Sequence, residues 1–334
     1  MTSRKVVILG TSSEAMTLAL TLMRPEFAVT LIEPDAEACE RVQFFLTRLQ
    51  GGLVRDVPAS QVTDSHQPLD TADIVFEALE GDRLQRSDAI SRLSLPEQAL
   101  LATVHRDVLA GFIGFHLFAP THMRRLVEIT LGTGASTQTA FNLAHDMGRI
   151  PVLAPAGKTS TGTRLQRRLY DAAEILLLQG AIPHELDEAL VAFGFDMGVF
   201  EAQDLIGLDV AYKDRKLTAR PALISDRIVH EGRLGKQAGV GWYRYPGGGG
   251  AVVDPLVEDL IGEEARFAGV EMHEIGAPEM QEGVVRALMD EGLALMAEGV
   301  AAADIDTVLT HGLGFPATKG GIIQNMPEIP FRAR

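Results

Sequence analysis

A histidine and a glutamate are the first residues of this chain to consider for chemistry. His116 ends the predicted strand GFIGFH, and Glu128 lies twelve residues further on, in RRLVEI. An imidazole titrates near neutral pH and is the commonest general base, and a carboxylate on its far ring nitrogen fixes the tautomer and stabilises the imidazolium. From these residues alone, the plain alternative of a structural strand-end histidine and a surface acid stays open.

The stretch VVILGTSSEAM, residues 6–16, predicts a strand, a tight turn and a helix, because four apolar residues lead into Gly10 and helical apolar spacing follows. The dinucleotide-binding turn is usually G-x-G-x-x-G, and this chain has Gly10, Ser12 and Ala15 at the three glycine positions. Gly10 keeps the tight turn, and Ala15 is an accepted third residue. Ser12 places a side chain where the backbone approaches a pyrophosphate.

The same turn also has the pattern of a capping box, from Thr11 to Glu14. In that arrangement Glu14 reaches back to the first helix amides, and its carboxylate competes with a phosphate for them. We therefore expect weaker dinucleotide binding than a complete fingerprint gives.

Glu33 follows Gly10 by twenty-three residues and ends the second predicted strand. An acid at this distance is placed to bind the ribose hydroxyls of the adenosine, and it selects NAD over NADP. The alternative is an exposed strand-end acid beside Pro34.

The composition is that of an ordinary globular protein, with 46% hydrophobic and 22% charged residues. The sequence has no long apolar run, and the N-terminus MTSRKVVILG has too short an apolar part for a signal peptide, so we expect a cytoplasmic protein.

The lone Cys39 excludes an internal disulfide, and nine histidines without ligand spacing predict no metal. A net charge of −15 disfavours nucleic acid and membranes as partners.

Short β-like runs alternate with helical segments up to about residue 155, which predicts a mostly parallel, doubly wound α/β sheet. The strand candidates are Val6 to Leu9, Val29 to Ile32, Ile74 to Phe76, Ala99 to Val104, Phe112 to Phe118 and Leu126 to Ile129. After GRIPVLAPAGKTSTG the pattern becomes helical with almost no strand signal. We place the main domain boundary there.

The helical part contains an internal similarity. Residues 169–195 align with residues 288–315 at an offset of 119, so that Asp187 matches Asp306. Chance similarity between two amphipathic helices is the alternative to duplication. The predicted organisation is a Rossmann-type NAD-binding domain over 1–155, followed by two related all-helical subdomains over 156–246 and 251–334. The four glycines at 247–250 should form a flexible linker.

Three stretches in order, GFHLFAPTHMRRLVEIT, AFGFDMGVFEAQDLIGLDVA and GRLGKQAGVGWYRY, resemble signature segments of the 3-hydroxyacyl-CoA dehydrogenase family. The second helical copy resembles the extra C-terminal subdomain of multifunctional fatty-acid oxidation proteins, whose hydratase half is not in this sequence. The resemblance implies an NAD-dependent oxidoreductase that passes a hydride between C3 of a 3-hydroxyacyl-CoA and the nicotinamide. It places the chain in fatty acid metabolism.

The resemblance also implies site residues. His116 and Glu128 fall where the family keeps its catalytic His–Glu pair, and Glu77, with Arg83 and Arg86 after it, falls near the cofactor and CoA. A solvated charge pair is the alternative for Glu77 and its arginines. GRLGKQAGVGWYRY is expected to be a packing loop, with Trp242 and Tyr243 buried and Lys236 solvated.

The chain departs from the family at three positions. The substrate-binding serine is missing and His105 and Arg106 stand near its place, Ala119 replaces an asparagine, and Thr163 replaces the catalytic-site asparagine before the retained Arg164. Arg106 and Thr163 are accordingly our candidates for substrate binding.

Two function classes follow. One is a working dehydrogenase with an acyl-CoA-like small-molecule substrate. The other is a catalytically impaired relative that serves as an acyl-CoA or protein-binding scaffold. If the second helical copy covers the apolar face of the first, the protein is a monomer with an internal pseudo-dimer, or a dimer through another surface.

Overall fold

The computed structural model describes residues 3–53, 61–121, 123–132, 136–155, 159–221 and 223–325. The chain divides into two compact units, residues 1–121 with 125–158, and residues 122–124 with 159–334. The first unit holds the predicted NAD-binding domain, and the second holds the two predicted helical subdomains. Residues 156–158, at the predicted boundary, and 326–334, in the predicted second subdomain, lie outside the described residues.

The first unit is built on one sheet. Its strands are β1 (Arg4–Leu9), β2 (Phe27–Ile32), β3 (Gln61–Thr63), β4 (Ile74–Glu77), β5 (Leu100–Thr103), β6 (Ile113–Leu117), β7 (Leu126–Thr130) and β8 (Ile150–Leu153). They lie in the order β3-β2-β1-β4-β5-β6-β7-β8, and every neighbouring pair is parallel except β6 with β7. Strands that run outward on both sides of β1 are typical of a doubly wound Rossmann-type sheet, so the predicted fold class is confirmed.

The central strands are buried on both faces, which explains their continuous apolar sequences. Along β1, Val6 and Ile8 belong to one apolar cluster, and Val7 and Leu9 belong to another. Successive strand residues point to opposite faces, so two clusters from one strand mean that both faces are covered. The first cluster is the larger, and helices α1 (Ser13–Thr21) and α4 (Thr137–Asp146) contribute to it.

Two strands were not predicted. β3 has three residues, Gln61, Val62 and Thr63, which are exposed or half-buried. A strand with so little burial needs no apolar run, and its sequence contains none. β8 contains Pro151 and lies at the end of the first predicted domain, just before the predicted boundary. It pairs only with β7 at the edge of the sheet, where a proline is tolerated.

Parallel strands bring their carboxyl ends to one edge of the sheet. β1 pairs with β2 and β4 in parallel, so the residues that follow these strands, Gly10 and Glu33, lie at the same edge as Glu77, the last residue of β4. Helices α2 (Ala36–Leu53) and α3 (Arg83–Ser91) begin just beyond that edge.

The second unit is helical. Its helices are α5 (Thr161–Gln179), α6 (Pro183–Phe193), α7 (Val199–Ile206), α8 (Leu208–Leu217), α9 (Ile224–His230), α10 (Pro255–Ala268), α11 (Ala277–Ala297) and α12 (Ala302–Leu313). The matched sequences fall on two helix pairs, α5 with α6 and α11 with α12.

The two helix pairs pack against each other reciprocally. The first helix of each pair, α5 or α11, lies on the first helix of the other pair and also contacts its second helix. Arg168 Nε donates to the carbonyl of Ala287, its own counterpart at the offset of 119. A residue that meets its counterpart is what a twofold arrangement produces. Duplication as the origin of this arrangement stays a prediction.

The matched aspartates make the same local contacts. Asp187 accepts the backbone amides of Phe200 and Glu201, at 2.9 and 3.0 Å. Asp306 accepts those of Ile323 and Gln324, at 2.9 and 3.1 Å. In each copy, one buried carboxylate therefore holds the start of the segment that follows its helix pair.

The segment GRLGKQAGVGWYRY packs into the second unit, as expected. Trp242 and Tyr243 are buried, and Asp204 accepts the backbone amides of both. Lys236 differs from the expectation, because it is half-buried with its ammonium 5.4 Å from the ring centre of Tyr245. The contacts give this segment a structural role.

Among the described residues, no helix combines the length and apolar character needed to cross a membrane.

Candidate active site

His116 and Glu128 face each other across the antiparallel pair β6 and β7, where they occupy directly opposite positions. Opposite residues of such a pair extend to the same face, with Cβ atoms about 5 Å apart. Glu128 is buried, while His116 is half-buried and packs edge-on against Phe118, with ring centres 4.8 Å apart. The structure thus brings the predicted pair together at neighbouring strands.

The hydrogen bond that we expected between the His116 ring and the Glu128 carboxylate is not among the contacts of the described residues. Instead, Nη2 of Arg106 lies 2.9 Å from Nε2 of His116. A guanidinium has donors only, so Nε2 must accept and the ring is neutral, with its proton on Nδ1. The strand register makes His116 and Glu128 neighbours, but the hydrogen bond to the ring comes from Arg106, at Nε2.

The electrostatics favour a neutral His116. Burial, and then the positive charge of Arg106, hold the pKa of His116 well below its usual range. An unprotonated ring nitrogen at neutral pH is the state that a general base needs.

The turn after β1 is as tight as predicted. Gly10 has a φ of +101°, and a β-carbon there would lie 2.8 Å from the carbonyl oxygen of Ala78. Only glycine fits this backbone conformation and this approach to the residue after β4.

Ser12 differs from the expectation in its direction. Its hydroxyl is buried, donates to the carbonyl of Ala78 at 3.0 Å and accepts the amide of Ala15 at 3.2 Å. Ser12 is therefore the N-cap of α1, and its side chain points into the protein, away from the approach to the turn.

The predicted capping box is wrong. The box needs an acid or amide three residues after the cap, and that position is Ala15. Glu14 is exposed, and its carboxylate accepts the hydroxyl of Ser13 at 2.9 Å.

Glu33 lies against the turn. The hydroxyl of Thr11 donates to Glu33 Oε2 at 2.5 Å, and the amide of Asp35 donates to Oε1 at 3.2 Å. Glu33 is half-buried, so the alternative of an isolated exposed acid does not describe it. The buried Gly10 and the half-buried Thr11 and Glu33 therefore lie together at the carboxyl ends of β1 and β2.

Glu77 forms a buried ion pair, and its partner is Arg86. Nη1 of Arg86 lies 2.6 Å from Oε2 of Glu77, and the two side chains are 1% and 0% exposed. Arg83, at the start of α3, is exposed. The alternative of a solvated charge pair is therefore wrong.

Further donors complete the Glu77 environment. Thr103 donates to Oε2 at 2.7 Å, and the amide of Leu79 donates to Oε1 at 3.0 Å. Burial by itself raises the pKa of Glu77, but hydrogen bonds from His105 and Thr103, with the charges of His105 and Arg86, outweigh burial and lower that pKa. Glu77 is thus an ionised structural anchor.

Thr163 lies in the second unit, in the first turn of α5. It is buried, and its hydroxyl is 2.7 Å from that of Ser160, the N-cap of the helix. The neighbouring Arg164 pairs with Glu291 and Glu298, each at 2.6 Å.

Comparison with known proteins shows what the chain is similar to. Residues 161–245 match the sequence profile described as 3-hydroxyacyl-CoA dehydrogenase, C-terminal domain. The peroxisomal bifunctional enzyme of Cavia porcellus is 29% identical over 364 residues, a match that covers 95% of this chain and 50% of that protein. Residues 161–245 are thus similar to the C-terminal domain of 3-hydroxyacyl-CoA dehydrogenases, and nearly the whole chain is similar to half of a peroxisomal bifunctional enzyme.

A second curated relative shows a similar degree of sequence similarity. The human peroxisomal bifunctional enzyme is 28% identical, again over 95% of this chain and 50% of its own length. The chain therefore spans about half the length of the curated relatives it matches.

Two solved structures share the fold. The dehydrogenase part of multifunctional enzyme 1 from C. elegans has a TM-score of 0.72 at 19% identity, covering 95% of this chain and 79% of that one. The 3-hydroxybutyryl-CoA dehydrogenase of Escherichia coli has a TM-score of 0.71 at 20% identity, covering 96% and 92%.

Proposed function

We propose that this chain is an NAD-dependent oxidoreductase that passes a hydride between C3 of a 3-hydroxyacyl-CoA, or a similar 3-hydroxy acid derivative, and NAD. The observation that carries the proposal is the neutral His116 directly opposite the buried Glu128. This pair lies on the sheet whose carboxyl edge also carries the Gly10 turn.

The residues of that turn fit a dinucleotide. The first amides of α1 lack partners within the helix, as at every helix N-terminus, and can bind a phosphate. The buried Ser12 hydroxyl donates to the Ala78 carbonyl and accepts the amide of Ala15, so the amides that precede Ala15 in the first turn are the ones that would bind the phosphate. Glu33 at the end of β2 is placed for ribose hydroxyls, and its charge disfavours the extra phosphate of NADP. Gly10, Thr11, Ser12, Ala15 and Glu33 would hold NAD, which supplies the acceptor for the hydride.

His116 would act as the base. Its Nε2 accepts the proton of the C3 hydroxyl, and the Glu128 carboxylate on the opposite strand stabilises the charge that the ring gains. Arg106 occupies Nε2 in this structure, so the substrate hydroxyl has to replace the guanidinium there. Arg106 and Thr163 remain our candidates for substrate binding. A non-catalytic scaffold is not favoured, because such a role does not require a histidine placed directly opposite a buried carboxylate.

Fluorescence titration with NADH tests the cofactor proposal. Glu33→Ala should weaken NADH binding about tenfold or more, since it removes hydrogen bonds to a charged acceptor. Glu37→Ala is the matched control, an exposed acid at the start of α2 that pairs with Arg41. If NADH binds the wild type and the Glu33 variant equally, the assignment of this turn is wrong.

Oxidation of 3-hydroxybutyryl-CoA, followed as NADH formation, then tests the reaction. A chain that binds NADH and oxidises neither this ester nor free 3-hydroxybutyrate would contradict the proposed activity.

A further inference from the structure

Arg106 places a fixed positive charge at the reacting nitrogen of the candidate site. Its guanidinium lies 2.9 Å from Nε2 of His116, although the residue itself is exposed. Related family members, by the resemblance described above, have a neutral hydroxyl near this position.

The residues on both sides of Arg106 are anchored to the buried Glu77–Arg86 pair. His105 Nε2 lies 3.4 Å from Glu77 Oε1 and 3.0 Å from the carbonyl of Leu79. Asp107 Oδ1 lies 2.5 Å from Arg86 Nη2, which also donates to the Asp107 carbonyl at 3.2 Å. The loop that carries Arg106 is therefore held at its two flanking residues, which fixes the backbone from which this side chain extends toward His116.

A guanidinium discriminates between substrates by charge. Its planar fork of donors matches the two oxygens of a carboxylate and binds them with charge-assisted hydrogen bonds. A thioester carbonyl is neutral and offers one oxygen. The phosphates of a CoA ester lie at the far end of a long pantetheine arm, so a cation beside the reacting carbon does not serve them.

We propose that Arg106 is a specificity-determining residue that binds the carboxylate of a short, free 3-hydroxy acid. This inference rests on the proposed function and narrows its substrate class. In a 3-hydroxy acid, one methylene separates the carboxylate carbon from the hydroxyl carbon. The hydroxyl on Nε2 of His116 and the carboxylate on the guanidinium beside it therefore fit the spacing of these two groups.

Binding of the substrate carboxylate to Arg106 also makes Nε2 of His116 available as the base. When it pairs with Arg106, the guanidinium no longer donates to Nε2, and that nitrogen can accept the hydroxyl proton. Among the described residues, the charged groups that face the ring are Arg106, from the loop after β5, and Glu128, from β7. As the proton moves to Nε2, the hydride of C3 leaves to NAD and the alcohol becomes a ketone, so atoms and charge balance.

Binding of two isosteric probes to the full chain with NADH tests the proposal without turnover. The probes are 3-hydroxybutyrate and its neutral amide, measured by calorimetry, with the ring signals of His116 followed by NMR. The wild type should bind the acid about 10- to 100-fold more tightly than the amide, the range of one charge-assisted contact. Arg106→Gln should lose this preference, and Arg106→Lys should keep part of it because its charge remains.

Arg92→Gln is the control, an exposed arginine at the end of α3 that pairs with Asp88. It should keep the preference for the acid. The acid should shift the His116 ring signals in the wild type and in Arg92→Gln, and leave them unchanged in Arg106→Gln. Circular dichroism confirms that each variant is folded.

Two results would overturn the inference: equal binding of acid and amide by the wild type, or an unchanged preference in Arg106→Gln. Turnover separates this inference from the proposed function. If 3-hydroxybutyryl-CoA is oxidised efficiently and the free acid is not, the dehydrogenase assignment stands and the carboxylate assignment fails. If the acid binds through Arg106 and neither compound is oxidised, the carboxylate site stands and the proposed activity fails.

Discussion

Replacing Arg86 with methionine should destabilise the first unit strongly. The substitution removes the cation from a pair whose side chains are 1% and 0% exposed, and leaves the Glu77 carboxylate buried. Breaking a buried ion pair from one side typically costs about 3–5 kcal/mol. Glu77 keeps hydrogen bonds from Thr103 and from the Leu79 amide, so we expect a loss near the lower end, about 3 kcal/mol.

The pH dependence should change in a defined direction. The folded pKa of Glu77 lies below its ordinary value of 4.5, so Glu77 contributes stability that is present above pH 4.5 and is lost as the pH falls through the folded pKa. Without Arg86 that pKa rises. The Arg86→Met variant should therefore lose less stability than the wild type when the pH falls below 4.5.

Urea unfolding at pH 7.5, followed by circular dichroism, measures the loss of stability, and hydrogen exchange of residues 74–77 assigns it to the first unit. Arg83→Met is the matched control, since Arg83 is exposed on the same helix, and it should change stability by less than about 0.5 kcal/mol. A loss below about 1 kcal/mol for Arg86→Met would refute the reasoning, because it would mean that Glu77 does not depend on this cation.

Three further predictions concern the base, the second unit and its packing. His116→Ala should lower kcat by at least about 100-fold in the NADH-formation assay, and an unchanged kcat would exclude it as the base. Burial raises the pKa of Glu174 and Asp187 to about 7 and that of Asp204 to about 6, so the folded state holds their protons more tightly than the unfolded chain. The protonated carboxyl groups contribute their full stability below pH 4, and this contribution is lost as the pH rises toward 7. The Tm of the protein should therefore fall between pH 4 and pH 7. Glu174→Gln should make the dependence of Tm on pH shallower. Deleting residues 251–334 uncovers the faces of α5 and α6 that pack on α11 and α12, and light scattering should report dimers or aggregates formed through these faces, whereas we expect the full chain to be a monomer or a dimer through another surface; a soluble, monomeric truncated chain would contradict this.

Most of the fold could be predicted from local patterns. The six predicted strands are present because strands buried on both faces need continuous apolar runs, as in VVIL of β1. β3 and β8 could not be predicted in this way. They lie at the two edges of the sheet, where less burial is required and a residue such as Pro151 is allowed.

The sequence predicted which residues belong to the candidate site, but it did not predict which of them contact each other. Glu33 was placed at the turn because parallel strands bring their carboxyl ends together. The choice between Arg83 and Arg86 as the partner of Glu77 could not be made, because both follow the same strand and only the packing of α3 buries one of them.

The sequence by itself determined the doubly wound sheet, the helical second part, the order of the family motifs and the positions of His116 and Glu128. It could do so because apolar periodicity and glycine turns are local properties of the chain. Only the tertiary structure decided that Arg106 contacts Nε2 of His116, and that Ser12 points inward. Hydrogen-bond partners are selected by distance and by the competition among buried donors and acceptors, and these are fixed only when separate segments pack together.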